Sequence, residues 1–249
     1  MELNIKSKNV LVTGAAKGIG RGIALAAASE GANIALHYQT SEKEALETKR
    51  LIEQHGVKVV MVKGDLSSLE EVQEMKASIG RELGSVDAIV NNAGWAQFKP
   101  FFQYEPGEWQ REVDICFHGV LHLAYTFIPD MINKNNGKFI NIVGDSARTG
   151  DRNLIVSAAA RGGTISFIKS LSQEVGRNNI QCNTVSLGLI DQGQTYDQAT
   201  FAKIIKQYPL KRLGKVDDIT GCILLLLSSW SDWITGQVVS INGGQSMIN

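Results

Sequence analysis

Asn9-Val10-Leu11-Val12-Thr13-Gly14-Ala15-Ala16-Lys17-Gly18-Ile19-Gly20 decides the fold. An apolar strand runs into a turn with glycines at 14, 18 and 20, and a helical stretch follows. Glycines there leave backbone N–H groups and a helix N-terminus free to approach a pyrophosphate. Outward from this stretch the alternation repeats. Apolar runs at Asn9 to Val12, Asn33 to Leu36, Lys58 to Val62, Ala88 to Val90, Phe139 to Val143, Gln181 to Val185 and Gln237 to Ile241 are separated by helical segments. Runs that are apolar throughout belong to strands buried on both faces.

That pattern predicts an α/β protein with a doubly wound parallel sheet, Rossmann-like, folded as a single domain over residues 1–249. With 249 residues and 43% hydrophobic content the chain can bury one sizeable core. Twenty-five basic residues balance twenty-five acidic ones, which gives no reason to expect nucleic acid or an anionic membrane as partner. The apolar run Ile223 to Leu227 reads as a helix face, and no signal peptide or membrane span is expected. Cys116, Cys182 and Cys222 are odd in number and far apart, which argues against a disulfide framework and for a reducing cytoplasm. His118 and His122 stand at i and i+4, but no carboxylate or cysteine pattern completes a metal site, so a packed pair is expected and no metal.

Further landmarks are Asn91-Asn92-Ala93-Gly94, Ile234-Thr235-Gly236-Gln237 and Asn242-Gly243-Gly244. With the glycine turn, in this order, they make the chain resemble the short-chain dehydrogenase/reductase family over nearly its whole length. The resemblance implies a dinucleotide site at Gly14, Lys17, Gly18, Ile19, Gly20, Asp65, Asn92, Ala93 and Gly94, with Asp65 at the adenine edge. Lys17 fits either a phosphate contact or a solvated turn. The second strand ends in His37-Tyr38-Gln39, where the family places an acid for NAD or an arginine for NADP. Leu187-Gly188-Leu189-Ile190-Asp191-Gln192 stands in place of the family's Pro-Gly-x-x-x-Thr carboxamide clamp. The expectation is a vestigial cofactor site that binds no dinucleotide tightly; retained binding in an altered pose is the alternative.

The resemblance also locates a proton relay of asparagine, serine, tyrosine and lysine. Their positions carry Cys116, Gly144, Ser157 and Arg161, so no catalytic residue is expected. Tyr196, in a lid-like segment at about 193–209, could replace the tyrosine only by an unusual pose. Asp145, Arg148, Asp151 and Arg152 form a charged loop, read as solvated or as a new site. Helices over 108–134 and 157–176 imply, by resemblance, a four-helix bundle between subunits. Gly162-Gly163 in the second helix fits close approach across that interface or a tolerated weakness.

The expected function is therefore a non-catalytic subunit. It would form a heterotetramer with a catalytically intact paralogue that holds NAD or NADP and acts on an alcohol or hydroxyacyl-CoA. One arrangement the resemblance implies is the two-subunit hydroxyacyl-CoA dehydrogenase of anaerobic toluene catabolism, whose substrate is a benzylsuccinyl-CoA derivative. Two alternatives stand beside it: an active oxidoreductase, lyase or hydrolase with a site rebuilt on Ser157, Arg161 and the charged loop, and a dinucleotide-sensing regulator.

Overall fold

The computed structural model describes residues 2–105 and 107–248. Seven strands form one parallel sheet: β1 (Asn9–Val12), β2 (Asn33–Tyr38), β3 (Val59–Lys63), β4 (Ala88–Asn91), β5 (Gly137–Gly144), β6 (Ile180–Leu187) and β7 (Val238–Ile241), in the order β3-β2-β1-β4-β5-β6-β7. All seven coincide with the apolar runs, with ends shifted by up to two residues. Alternate side chains of one strand feed opposite cores. Val10 and Val12 join one with α1 (Gly18–Ser29), α2 (Glu42–Glu53) and α9 (Val216–Leu227). Leu11 joins the other with α3 (Leu69–Glu82), α5 (Gly119–Lys134) and α7 (Ile155–Val175).

The chain reverses its direction of winding at β1, which pairs with β2 on one side and β4 on the other. The carboxyl ends of these strands diverge into a crevice, the usual ligand position in this architecture. Gly14 and Gly18 have φ of 61° and 58°, left-handed values that an L side chain resists, so the turn between β1 and α1 requires them.

Helix α4 (Glu108–Val113) runs through one π-helical turn, Asp114–His118, into α5. The run from Glu108 to Lys134 is long and apolar enough to cross a membrane by length and composition, but half of its most apolar window is buried within the protein. Val120, Leu123, Phe127 and Met131 face the sheet. His118 and His122 are the packed pair expected: His118 Nδ1 meets Asp114 at 2.8 Å and His122 Nδ1 meets the Leu66 carbonyl at 2.8 Å.

Between β6 and α9, the lid-like segment folds into α8 (Gln198–Lys206), whose N-terminus is capped by Asp197. Its far end is anchored where the Leu189 N–H donates to the Tyr208 hydroxyl at 2.9 Å.

The paired glycines of α7 have reasons inside the chain. A Cβ on Gly163 would lie 3.0 Å from the Phe117 ring, and one on Gly162 would lie 3.1 Å from the Ala147 carbonyl oxygen. α7 thus packs closely on the π-helical turn at Gly163. Gly163→Leu is expected to destabilise the fold by about 1–3 kcal/mol through overpacking. Urea melting checks this, and adding Phe117→Ala should restore part of the loss.

Candidate functional site

The crevice is a cleft of about 440 Å³ lined by the glycine turn, the end of β2, Asp65, Asn92 to Trp95, Arg111, Ile115 and Gln192. Most residues expected at a dinucleotide site therefore share one cavity. Asn92 acts as a brace: its Nδ2 donates to the carbonyls of Thr13 and Gly14 at 3.1 and 3.3 Å. Lys17 is exposed on extended backbone at the helix start, and Ile19 is half-buried behind it.

Several polar groups of the cleft are committed to one another. The Gly14 N–H donates to His37 Nδ1 at 3.1 Å. His37 Nε2 must then carry the proton and donate to the Gly64 carbonyl at 3.0 Å. Burial drives the His37 pKa down to about 4, against smaller upward effects of the Gly64 carbonyl and Asp65. At the adenine end, Gln39 Nε2 donates to Asp65 at 2.6 Å, while Ser67 donates to the other carboxylate oxygen through N–H and hydroxyl. At the mouth, the Gln192 side chain presses onto the face of Gly18, where a Cβ would collide with it. His37 and Gln192 were recognised in the sequence only as departures from family residue types; no spacing rule reveals what they touch.

The four residues expected at the relay positions also have structural occupations. Cys116 is buried in the π-helical turn, and its thiol donates to the Trp95 carbonyl at 3.1 Å. Gly144 closes β5 with no side chain. Ser157 is 0% exposed and its hydroxyl donates to the Leu154 carbonyl at 3.3 Å, so a substrate in the cleft cannot reach it. Arg161 crosses from α7 to Gly94, where a Cβ would lie 2.5 Å from its Nη2. Among the described residues no hydrogen bond joins Tyr196 to any of these groups.

The charged loop is divided. Asp145 is buried and accepts from Ser186, from Asn242 Nδ2 at 2.6 Å and from Ser246 at 2.7 Å. Arg148 donates to the Ser240 hydroxyl and the Ile248 carbonyl. These two residues fasten the C-terminal segment, whereas Asp151 and Arg152 are exposed as expected. A catalytic site rebuilt on Ser157 and this loop does not match the geometry.

Sequence reasoning missed Glu112. It is fully buried on α4, and its Oε1 accepts from the Tyr104 hydroxyl at 2.6 Å and the Gln97 N–H at 3.3 Å. Burial and the Glu112 contact push the Tyr104 phenol up to about 12. The pair pins the loop that carries Trp95. No group of three metal-ligating side chains occurs among the described residues.

The chain matches the family model described as enoyl-(acyl carrier protein) reductase over residues 14–246. It is 33% identical over 246 residues to the 3-oxoacyl-(acyl-carrier-protein) reductase FabG of Staphylococcus epidermidis, covering 97% of this chain and 100% of that protein. The FabG of Aquifex aeolicus is 29% identical, over 98% and 99% of the two chains. Among solved structures, a putative short-chain alcohol dehydrogenase from Sinorhizobium meliloti superposes with a TM-score of 0.93 at 28% identity, covering 98% of each chain. A gluconate 5-dehydrogenase from Burkholderia cenocepacia, in complex with NADP and tartrate, gives 0.91 at 26% identity over 98% of this chain and 97% of that one.

The His37 link sets a pH dependence. As pH falls below 6.5 the unfolded histidine takes up a proton that the folded one refuses until about 4. Stability should therefore be full above pH 6.5 and decline by about 3 kcal/mol as pH approaches 4, at about 1.4 kcal/mol per unit. Urea titrations of wild type and His37→Asn across this range check it; the variant should lack this part of the acid loss.

Proposed function

We propose that this chain, which belongs to the short-chain dehydrogenase/reductase family, is a non-catalytic subunit that assembles with a catalytically intact homologue. The observation that carries the reading is the state of the four relay positions. A buried thiol spent on a backbone carbonyl, a glycine, a sealed serine and an arginine offer no acid–base group for an alcohol oxygen. Losing one general acid commonly costs about 10²–10⁴ in rate, and losing a set that acts as a unit removes its joint effect.

We take NAD or NADP to belong to the partner. Three groups of this cleft favour that assignment: the Gly14 N–H held by His37, the Asp65 carboxylate held by Gln39 and Ser67, and the Gly18 face covered by Gln192. The left-handed glycines of the turn and an open cleft of about 440 Å³ favour the second reading, a dinucleotide sensor. The relatives' names support an oxoacyl or hydroxyacyl thioester as substrate class of the assembled enzyme, and the two-subunit hydroxyacyl-CoA dehydrogenase is the corresponding arrangement.

Assembly would use the outer faces of Glu108–Lys134 and α7. Leu121 and Tyr125 fall one turn apart on one stripe; Tyr125 is 70% exposed, and Ile132 continues the apolar surface. An apolar stripe of this kind calls for a partner surface. The free cysteines, two of them buried, fit a cytoplasmic protein.

Two outcomes are expected. The purified chain with NADH or NADPH and a 3-oxoacyl thioester should show no oxidation above background, and turnover sensitive to mutation of Arg161 would overturn the reading. Calorimetry should detect no dinucleotide binding, whereas a micromolar Kd would favour the sensor. In assembly, an intact homologue should co-purify from the native host in equal amount. A stable monomer at micromolar concentration, with and without that homologue, would refute the subunit assignment.

A further inference from the structure

We propose that Arg161 and Arg111 form a carboxylate-binding site in the emptied end of the cleft, taking a ligand whose apolar body lies against Trp95 and Ile115. Gly94 and Trp95, consecutive residues of the cleft lining, each lie against one of the guanidinium groups. Arg161 Nη2 sits 2.5 Å from the Cβ position of Gly94, and Arg111 Cζ lies 5.2 Å from the centre of the Trp95 ring. Arg161 is more than half buried, yet among the described residues its guanidinium has no carboxylate within ion-pair distance and no hydrogen-bond acceptor. Arginines withdrawn from water are ordinarily paired, because the charge loses hydration that only an acceptor replaces.

The carboxylate that lines the cleft and the one next to Arg111 in the chain are engaged elsewhere. Asp65, the carboxylate that lines the cleft, is held by Gln39 and Ser67, and Glu112 is turned to Tyr104 and Gln97. Lys17 adds a third positive charge to the cleft wall. The unpaired positive charge therefore suits an anion. A planar guanidinium fork matches a carboxylate in two parallel hydrogen bonds.

The wall beside the arginines is built rather than incidental. The Trp95 carbonyl is fixed by the Cys116 thiol, and two residues later the Gln97 N–H is fixed by Glu112. Trp95, which lines the cleft with Ile115, keeps 37% of its surface exposed. An apolar ligand body would cover these two side chains.

The proposal rests on the reading that Arg161 serves no proton relay, and its test needs no turnover. Calorimetry of the full chain would compare hexanoate, its neutral isostere hexanamide, and inorganic phosphate. Hexanoate should bind, hexanamide should not, and phosphate should bind more weakly because it gains nothing from Trp95. Arg161→Lys keeps the charge but loses the fork, and should weaken hexanoate by about tenfold to a hundredfold, the worth of one charged hydrogen bond. Trp95→Ala should weaken hexanoate but leave phosphate unchanged. Equal binding of hexanoate and hexanamide, binding insensitive to Arg161→Lys in a variant with unchanged melting, or no binding at millimolar hexanoate would each overturn the proposal. Stronger phosphate binding that is lost in Lys17→Ala would assign the charge to a nucleotide phosphate instead. Turnover by the chain would overturn the subunit reading without altering these titrations.

Discussion

A chain of buried hydrogen bonds crosses the sheet beneath the cleft, and both walls of the site depend on it. Thr13 donates to Asn91 at 2.8 Å, Asn91 to Asn141 at 2.9 Å, Asn141 to Thr164 at 2.9 Å, and Thr164 to the Arg161 carbonyl at 2.7 Å. Thr13 also accepts from the N–H groups of Asn92 and Ala93. Every side chain in the chain is buried and paired, so each break would leave an orphan costing about 1–3 kcal/mol. The glycine turn, the Asn91-Asn92 turn, β5 and α7 are thereby held in one geometry.

None of the relay positions supplies a side-chain bond to this scaffold. Thr164 bonds the backbone of Arg161, and Ser157 bonds only its own helix. Identities at 116, 144, 157 and 161 could therefore change while the backbone stayed in place. That separation explains how a chain can superpose on dehydrogenases with TM-scores above 0.9 and still present other groups to the cleft.

Polar groups in the cleft then sort by whether they have partners. His37, Gln39 and Asp65 are satisfied internally, which stiffens the β1, β2 and β3 ends and removes donors and acceptors from any ligand. Against Trp95 and Gly94, the guanidinium groups of Arg111 and Arg161 have no acid within ion-pair distance among the described residues. Internal satisfaction favours a closed, stable wall; unpaired charge favours an arriving anion.

The sequence by itself determined the architecture, because strand runs apolar on both faces and a turn that demands left-handed glycines are local patterns. It also supported the expectation that Cys116, Gly144, Ser157 and Arg161 stand at the family's relay positions, since landmarks on both sides fix the register of the resemblance. It could not determine what these and neighbouring groups touch. The burial of Ser157, the contact of Gly163 with Phe117, the division of the charged loop and the Glu112–Tyr104 pair each join residues from different elements or depend on how elements pack. Periodicity records which face of an element is buried, whereas partnership and exposure are set only when helices and strands close on one another; the tertiary structure alone decided that Arg161 would stand against Gly94 without an acid.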